Sequence, residues 1–106
     1  MSHHFQFTYS VRTHSSNPSD ELIKITERVR KGIKSHDAWE SLENIETTVV
    51  GELTLSGTLE DKISEARSDI LKELKSKLKG VERKSEFTIY GSLMVDKLGA
   101  HIELKI

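Results

Sequence analysis

The sequence contains no cysteine, one proline, one tryptophan and only 6% aromatic residues, and it has no long apolar run. Without cysteine there is no disulfide framework, no thiolate metal site and no thiol nucleophile, so a reducing cytoplasm is the expected compartment. No stretch approaches the roughly 20 apolar residues that cross a bilayer. Residues 1–10 also lack the basic-then-apolar order of a signal peptide, so a soluble, unexported protein with no membrane association is expected. The formal net charge of -1 exerts no overall pull on nucleic acid, and any basic footprint has to be local. Motifs of the Gly-x-Ser-x-Gly and phosphate-loop kinds are missing, and with them the commonest nucleophile and cofactor signatures. No cofactor and no metal are therefore expected.

What is present describes a well-solvated globular chain. The 106 residues are 31% charged and 35% hydrophobic, enough for one core and one domain spanning 1–106. Residues 4–12 alternate strictly, with Phe5, Phe7, Tyr9 and Val11 on one side and His4, Gln6, Thr8, Ser10 and Arg12 on the other, the pattern of a half-buried strand. A polar loop with Pro18 leads to Asn17 or Ser19 as a helix cap, with Asp20 and Glu21 in the first turn. Leu22, Ile25, Val29 and Ile33 then recur at three and four residues, the stripe of a helix reaching about Ser35. Trp39 and Leu42 suggest one further helical turn over residues 37–42.

Residues 45–56 read as a second strand with Ile45, Val49, Leu53 and Leu55 inward. Gly51 is taken as a bulge in it, the alternative being a hairpin turn at Gly51-Glu52. Thr58 with Asp61 forms a capping box that starts a second helix, whose apolar face is Leu59, Ile63, Ala66, Ile70, Leu74 and Leu78 and whose left-handed stop is Gly80. Residues 86–95 alternate again with Phe87, Ile89, Gly91, Leu93 and Val95 inward. Residues 96–99 are a hairpin connection, and the last strand turns Ala100, Ile102, Leu104 and Ile106 inward.

The expected fold is an α/β, α+β-like, two-layer sandwich of order β-α-β-α-β-β: a four-stranded mixed sheet with two helices packed on one face. Two right-handed parallel crossovers advancing in one direction would put both helices on that face. The opposite face is then open and carries Gln6, Thr8, Ser10, Thr48, Glu52, Thr54, Thr88, Tyr90, Ser92, His101 and Glu103.

The function classes follow from what this surface offers. The first expectation is a small non-enzymatic module that binds another protein, of inhibitor, immunity, antitoxin or accessory type. It would act through the open sheet face or an edge strand, with Trp39, Glu40, Glu43, Tyr90 and His101 as contact residues. The first or the last strand is the expected edge, and self-pairing of such an edge into a homodimer is a further expectation. The alternative is nucleic-acid binding by the helix faces that carry Lys24, Arg28 and Lys31, and Lys72, Lys75 and Lys79. Those lysines also have a structural reason to be there, since cations near a helix C-terminus complement its dipole. A distant third is a small-molecule enzyme using His101 and Tyr90 on the open face, with a general base assembled from His101 together with Glu103 or Glu52. His3, His4, His14 and His36 read as exposed or terminal histidines.

Overall fold

The computed structural model describes residues 2–36, 39–41 and 47–106. Its elements in chain order are β1 (Ser2–Thr13), α1 (Asp20–Lys34), β2 (Glu40–Ser41), β3 (Thr48–Thr54), α2 (Leu59–Leu78), a 3-10 turn (Lys84–Glu86), β4 (Phe87–Val95) and β5 (Ile102–Lys105). The strands form one five-stranded sheet in the order β2-β3-β1-β4-β5. Every neighbouring pair is antiparallel.

This α+β sheet differs from the four-stranded mixed one that the sequence suggests, and Glu40–Ser41 is the reason. Where a direct crossover from α1 would bring the next strand in parallel to β1, the chain makes an extra pass as β2. It then reverses into β3, which runs antiparallel to β1. The helical turn expected over 37–42 is replaced by this strand at Glu40–Ser41; Asp37, Ala38 and Leu42 lie outside the described residues. As a result β1-α1-β2 straddles β3 and β3-α2-β4 straddles β1. These are two interlocked split β-α-β units of the ferredoxin-like order, with β5 added beyond β4. β1, expected as one of the edges, is the central strand.

Both helices begin as the sequence indicates. The Ser19 side chain accepts the Leu22 N–H at 3.2 Å. Thr58 and Asp61 exchange backbone-to-side-chain bonds at 3.1 and 3.2 Å, each meeting an N–H that the helix leaves without a partner. Gly80 ends the α2 region with φ of 81°. The stripe Leu22, Ile25, Val29, Ile33 is buried, as are Ala66, Ile70, Leu74 and Leu78. Leu59, expected on the inner face, is instead 55% exposed at the first helical position, before the helix has closed onto the sheet. Ala100, also expected inward, is exposed just ahead of β5.

The inner face of the sheet carries Phe5, Phe7, Tyr9 and Val11 from β1, Val49 from β3, Phe87, Ile89, Leu93 and Val95 from β4, and Ile102 and Leu104 from β5. All of these are buried in one core cluster with the two helices. The β1–β3 register runs without offset from Ser2 opposite Thr54 to Thr8 opposite Thr48. Gly51, opposite Phe5, is therefore neither bulge nor turn but an ordinary strand position. Ile45 lies outside the described residues.

Gly91 has a packing role. A Cβ placed on it would lie 2.3 Å from Cε1 and 2.5 Å from Cζ of Phe7, whose ring is fully buried and stacks on Tyr9 with centroids 5.9 Å apart. The ring occupies the space that a side chain at 91 would need. Gly91→Ala is expected to lose about 1–3 kcal/mol of stability through overpacking, read as a lower denaturation midpoint in urea.

Two carboxylates are held in their charged form by local hydrogen bonds. Asp61 is held below the usual carboxylate range by the backbone and side-chain bonds from Thr58, and Glu86 by the Arg83 guanidinium. A carboxylate lowered in the native state stabilises it above the unfolded pKa, and that contribution is lost as pH falls through the native value. Asp69 acts in the opposite sense, raised first by desolvation and then by the Glu65 charge. Thermal melts should fall in midpoint below about pH 4. Asp61→Asn and Glu86→Gln should each flatten that fall, and an unchanged slope in both variants would rule these two groups out as its source.

Candidate binding face

The even-numbered side chains of β1 point away from the helices, and the register carries that face across the sheet. Gln6 lies between Val50 and Met94, Thr8 between Thr48 and Ser92, Ser10 beside Tyr90, and Arg12 beside Thr88. Beyond β4, Ser92 faces Glu103 and Tyr90 faces Lys105, while Glu40 of β2 faces Val50. The centre of the face carries hydroxyls, Thr8 exposed, Ser10 and Ser92 half-buried, and Thr48, expected outward, buried with its oxygen 3.2 Å from that of Thr8. Tyr90 is 43% and Met94 53% exposed, the two large apolar side chains on this face among those described as exposed.

Two depressions flank this centre. One, about 810 Å³, is lined by His4, Gln6, Glu40, Val50, Glu52, Met94 and Asp96 among others. It is acidic, with His4 Nδ1 3.5 Å from a Glu52 oxygen. The other, about 530 Å³, is lined by Thr8, Ser10, Tyr90, Ser92, His101, Glu103 and Lys105 with neighbouring backbone. Here Lys105 Nζ stands 5.9 Å from the Tyr90 ring centroid and His101 Nε2 3.6 Å from a Glu103 oxygen. The face is thus divided into an acidic side, Glu40, Glu52 and Asp96, and a side where hydroxyls mix with His101, Glu103 and Lys105.

The contact residues expected from sequence separate in this geometry. Glu40, Tyr90 and His101 are exposed and share the open face. Glu43 lies outside the described residues. Trp39 is corrected from surface anchor to core residue: it is 8% exposed, meets Phe5 edge-on with centroids 6.1 Å apart, and stacks on His36 at 4.3 Å. A large ring beside the inner face is more stable among Phe5 and Phe7 than in water. Its burial should leave native tryptophan fluorescence weakly quenched by iodide, and Trp39→Ala should cost about 3–5 kcal/mol. Strong quenching of the native protein would contradict this placement.

Of the general-base partners considered for His101, Glu103 is adjacent, whereas Glu52 belongs to the other depression and pairs with His4. Lys24, Arg28, Lys31, Lys72, Lys75 and Lys79 are all exposed. Arg28 shares a groove with Lys77, Lys79, Glu21 and Glu82. Lys31 lies with Glu27, Arg30 and Lys34, and Lys72 and Lys75 lie with Arg67. Acidic neighbours enter two of these three groups.

Two histidines, His3 and His36, are more buried than the sequence suggests, while His4 and His14 are exposed as expected. His3 is buried on the inner face, and its Nδ1 is 2.9 Å from the Asp96 carbonyl oxygen. A carbonyl only accepts, so Nδ1 carries the proton. His36 is partly buried and lies 2.7 Å from a Glu73 oxygen, joining the end of α1 to α2. His14 Nε2 lies 2.7 Å from the Thr88 hydroxyl. The period-two alternation at His3 was a usable signal, since it continues the inward series Phe5, Phe7, Tyr9; the other two depend on contacts between distant segments.

Fold and face together define an α+β protein with helices on one side of an antiparallel sheet and, on the other, a mixed polar and apolar surface that no helix covers among the described residues. Comparison with family models, with curated proteins and with solved structures finds no match to this chain. Among the described residues no helix is long and apolar enough to cross a membrane.

Proposed function

We propose that this chain is a non-enzymatic binding module of inhibitor, immunity, antitoxin or accessory type, which docks another protein on the open face of its sheet. The observation that carries this reading is the exposure of Tyr90 and Met94 on a sheet face that, among the described residues, no helix covers, with Thr8, Ser10 and Ser92 beside them. Aromatic and methionine side chains are enriched in protein interfaces and supply much of their binding energy, while hydroxyls adapt to the partner's polar groups. Glu40, Glu52 and Asp96 border the same surface, so the partner it fits presents basic side chains toward the β2–β3 side. His101 and Lys105 lie at the opposite border, beside Tyr90.

The test is affinity capture from a nuclease-treated lysate with the native protein, a Tyr90→Ala/Met94→Ala variant and a Glu40→Lys/Glu52→Lys variant run in parallel. A stoichiometric protein partner should be retained by the native chain, fall at least about tenfold with the first variant, as truncation of a central anchor predicts, and weaken with the second. Because all four side chains are solvent-facing, the variants should lose about 1 kcal/mol or less of stability. A partner bound equally well by every variant, or capture that vanishes on nuclease treatment, would sink this reading; the second result would favour nucleic acid.

A further inference from the structure

We infer that the free edge of β5 pairs with the same edge of a second copy of this chain, in one defined register, to make a two-fold symmetric dimer with a continuous sheet. This concerns the sheet edge and is independent of what the open face binds.

The backbone shows which groups are available. Ile106 and Ile89 exchange both main-chain bonds, at 3.0 and 3.2 Å. Bonded and non-bonded pairs alternate along an antiparallel ladder, so Leu104 and Ile102 also direct their N–H and C=O groups toward β4. Glu103 and Lys105, which lie opposite Ser92 and Tyr90, therefore direct theirs away from β4. β5 is the last strand of the sheet, and among the described residues no strand meets those groups. An unpaired row of this kind is a template for another strand.

Side-chain placement then selects the register. Glu103 and Lys105 both project on the open face, while Ile102 and Leu104 are buried beneath the helices. A continuous sheet needs open-face residues opposite open-face residues, since a slip of one position would reverse the faces. Glu103 can thus oppose its own copy, Lys105 can oppose its own copy, or each can oppose the other. The first two place like charges directly across the strands, which is destabilising. The third sets Glu103 against Lys105 of the second copy and, by symmetry, Lys105 against Glu103, with the two-fold axis at Leu104. Each of these pairs then exchanges both main-chain bonds, and the interface closes on itself without leading to a fibre. The Glu103 side chain is 86% exposed and its one ion pair among the described residues is the long 3.6 Å approach of His101 Nε2, so its carboxylate can turn to the incoming ammonium.

The experiment is sedimentation of the purified full chain over a broad concentration series, with circular dichroism to check folding. The native protein should approach twice the 12.0 kDa mass of one chain. Glu103→Lys and Lys105→Glu should each weaken dimerisation on the order of tenfold or more, since two attractive cross-strand pairs become repulsive. The Glu103→Lys/Lys105→Glu double variant should dimerise like the native protein, and an equimolar mixture of the two single variants should form a heterodimer. A native protein that stays monomeric at every concentration, a dimer indifferent to the single charge reversals, or failure of either restoration would overturn the inference.

Discussion

Phe7 lies fully buried in the central strand with its ring over Gly91, and the placement of the other layers follows from that contact. The ring fits only because the neighbouring strand has no side chain there. Seated in that space it meets Tyr9 on one side and comes within 6.3 Å of Trp39 on the other. This brings the centre of β1, the side of β4 and the segment after α1 into one aromatic cluster. Close packing of this sort leaves little freedom to slide one strand against another, because a one-residue slip would turn Phe5, Phe7 and Tyr9 to water and bury Gln6 and Thr8.

The same constraint produces the two-sided character of the molecule. Because β1 is paired with β3 along Ser2–Thr8 and with β4 along Phe5–Thr13, its alternation is imposed on both neighbours. The helices cover the odd-numbered side, and the even-numbered side is left as a wide polar surface in which Tyr90 and Met94 stand exposed. Local polar bonds hold the ends in place without intruding on this surface. Arg83 bonds Glu86 and Ser19 and so ties the start of β4 to the start of α1, while His36 and Glu73 join the helices.

Much of this was legible in the residues themselves. The alternation in residues 4–12 and 86–95, the three-and-four spacing of Leu22, Ile25, Val29 and Ile33, and the capping pair Thr58 and Asp61 are local signals, since each depends on residues within a turn or two of one another. Most of the open face was legible for the same reason: once a strand alternates, its polar side is known. Trp39 was not legible, because a lone tryptophan beside acidic residues looks alike whether it anchors a partner or closes a core. Its neighbours, Phe5, Phe7 and His36, are assembled only by folding. Nor was β2, since a two-residue strand has no period to detect.

By itself, the sequence determined the two helices and the longer strands, which side of each is apolar and hence that one sheet face is the more polar, because these depend on propensity, capping and short-range periodicity. Only the tertiary structure decided strand order and direction, the burial of Trp39, the meeting of Arg28 with Lys77 and Lys79 in one groove and the identity of β5 as an edge strand. These depend on the reversal through β2 and on pairings between residues as distant as Phe5 and Val95. The physical reason is that pairing energy is gained wherever two alternating strands meet, so alternation alone does not say which strands those are. The choice is made by long-range complementarity, here Phe7 against Gly91.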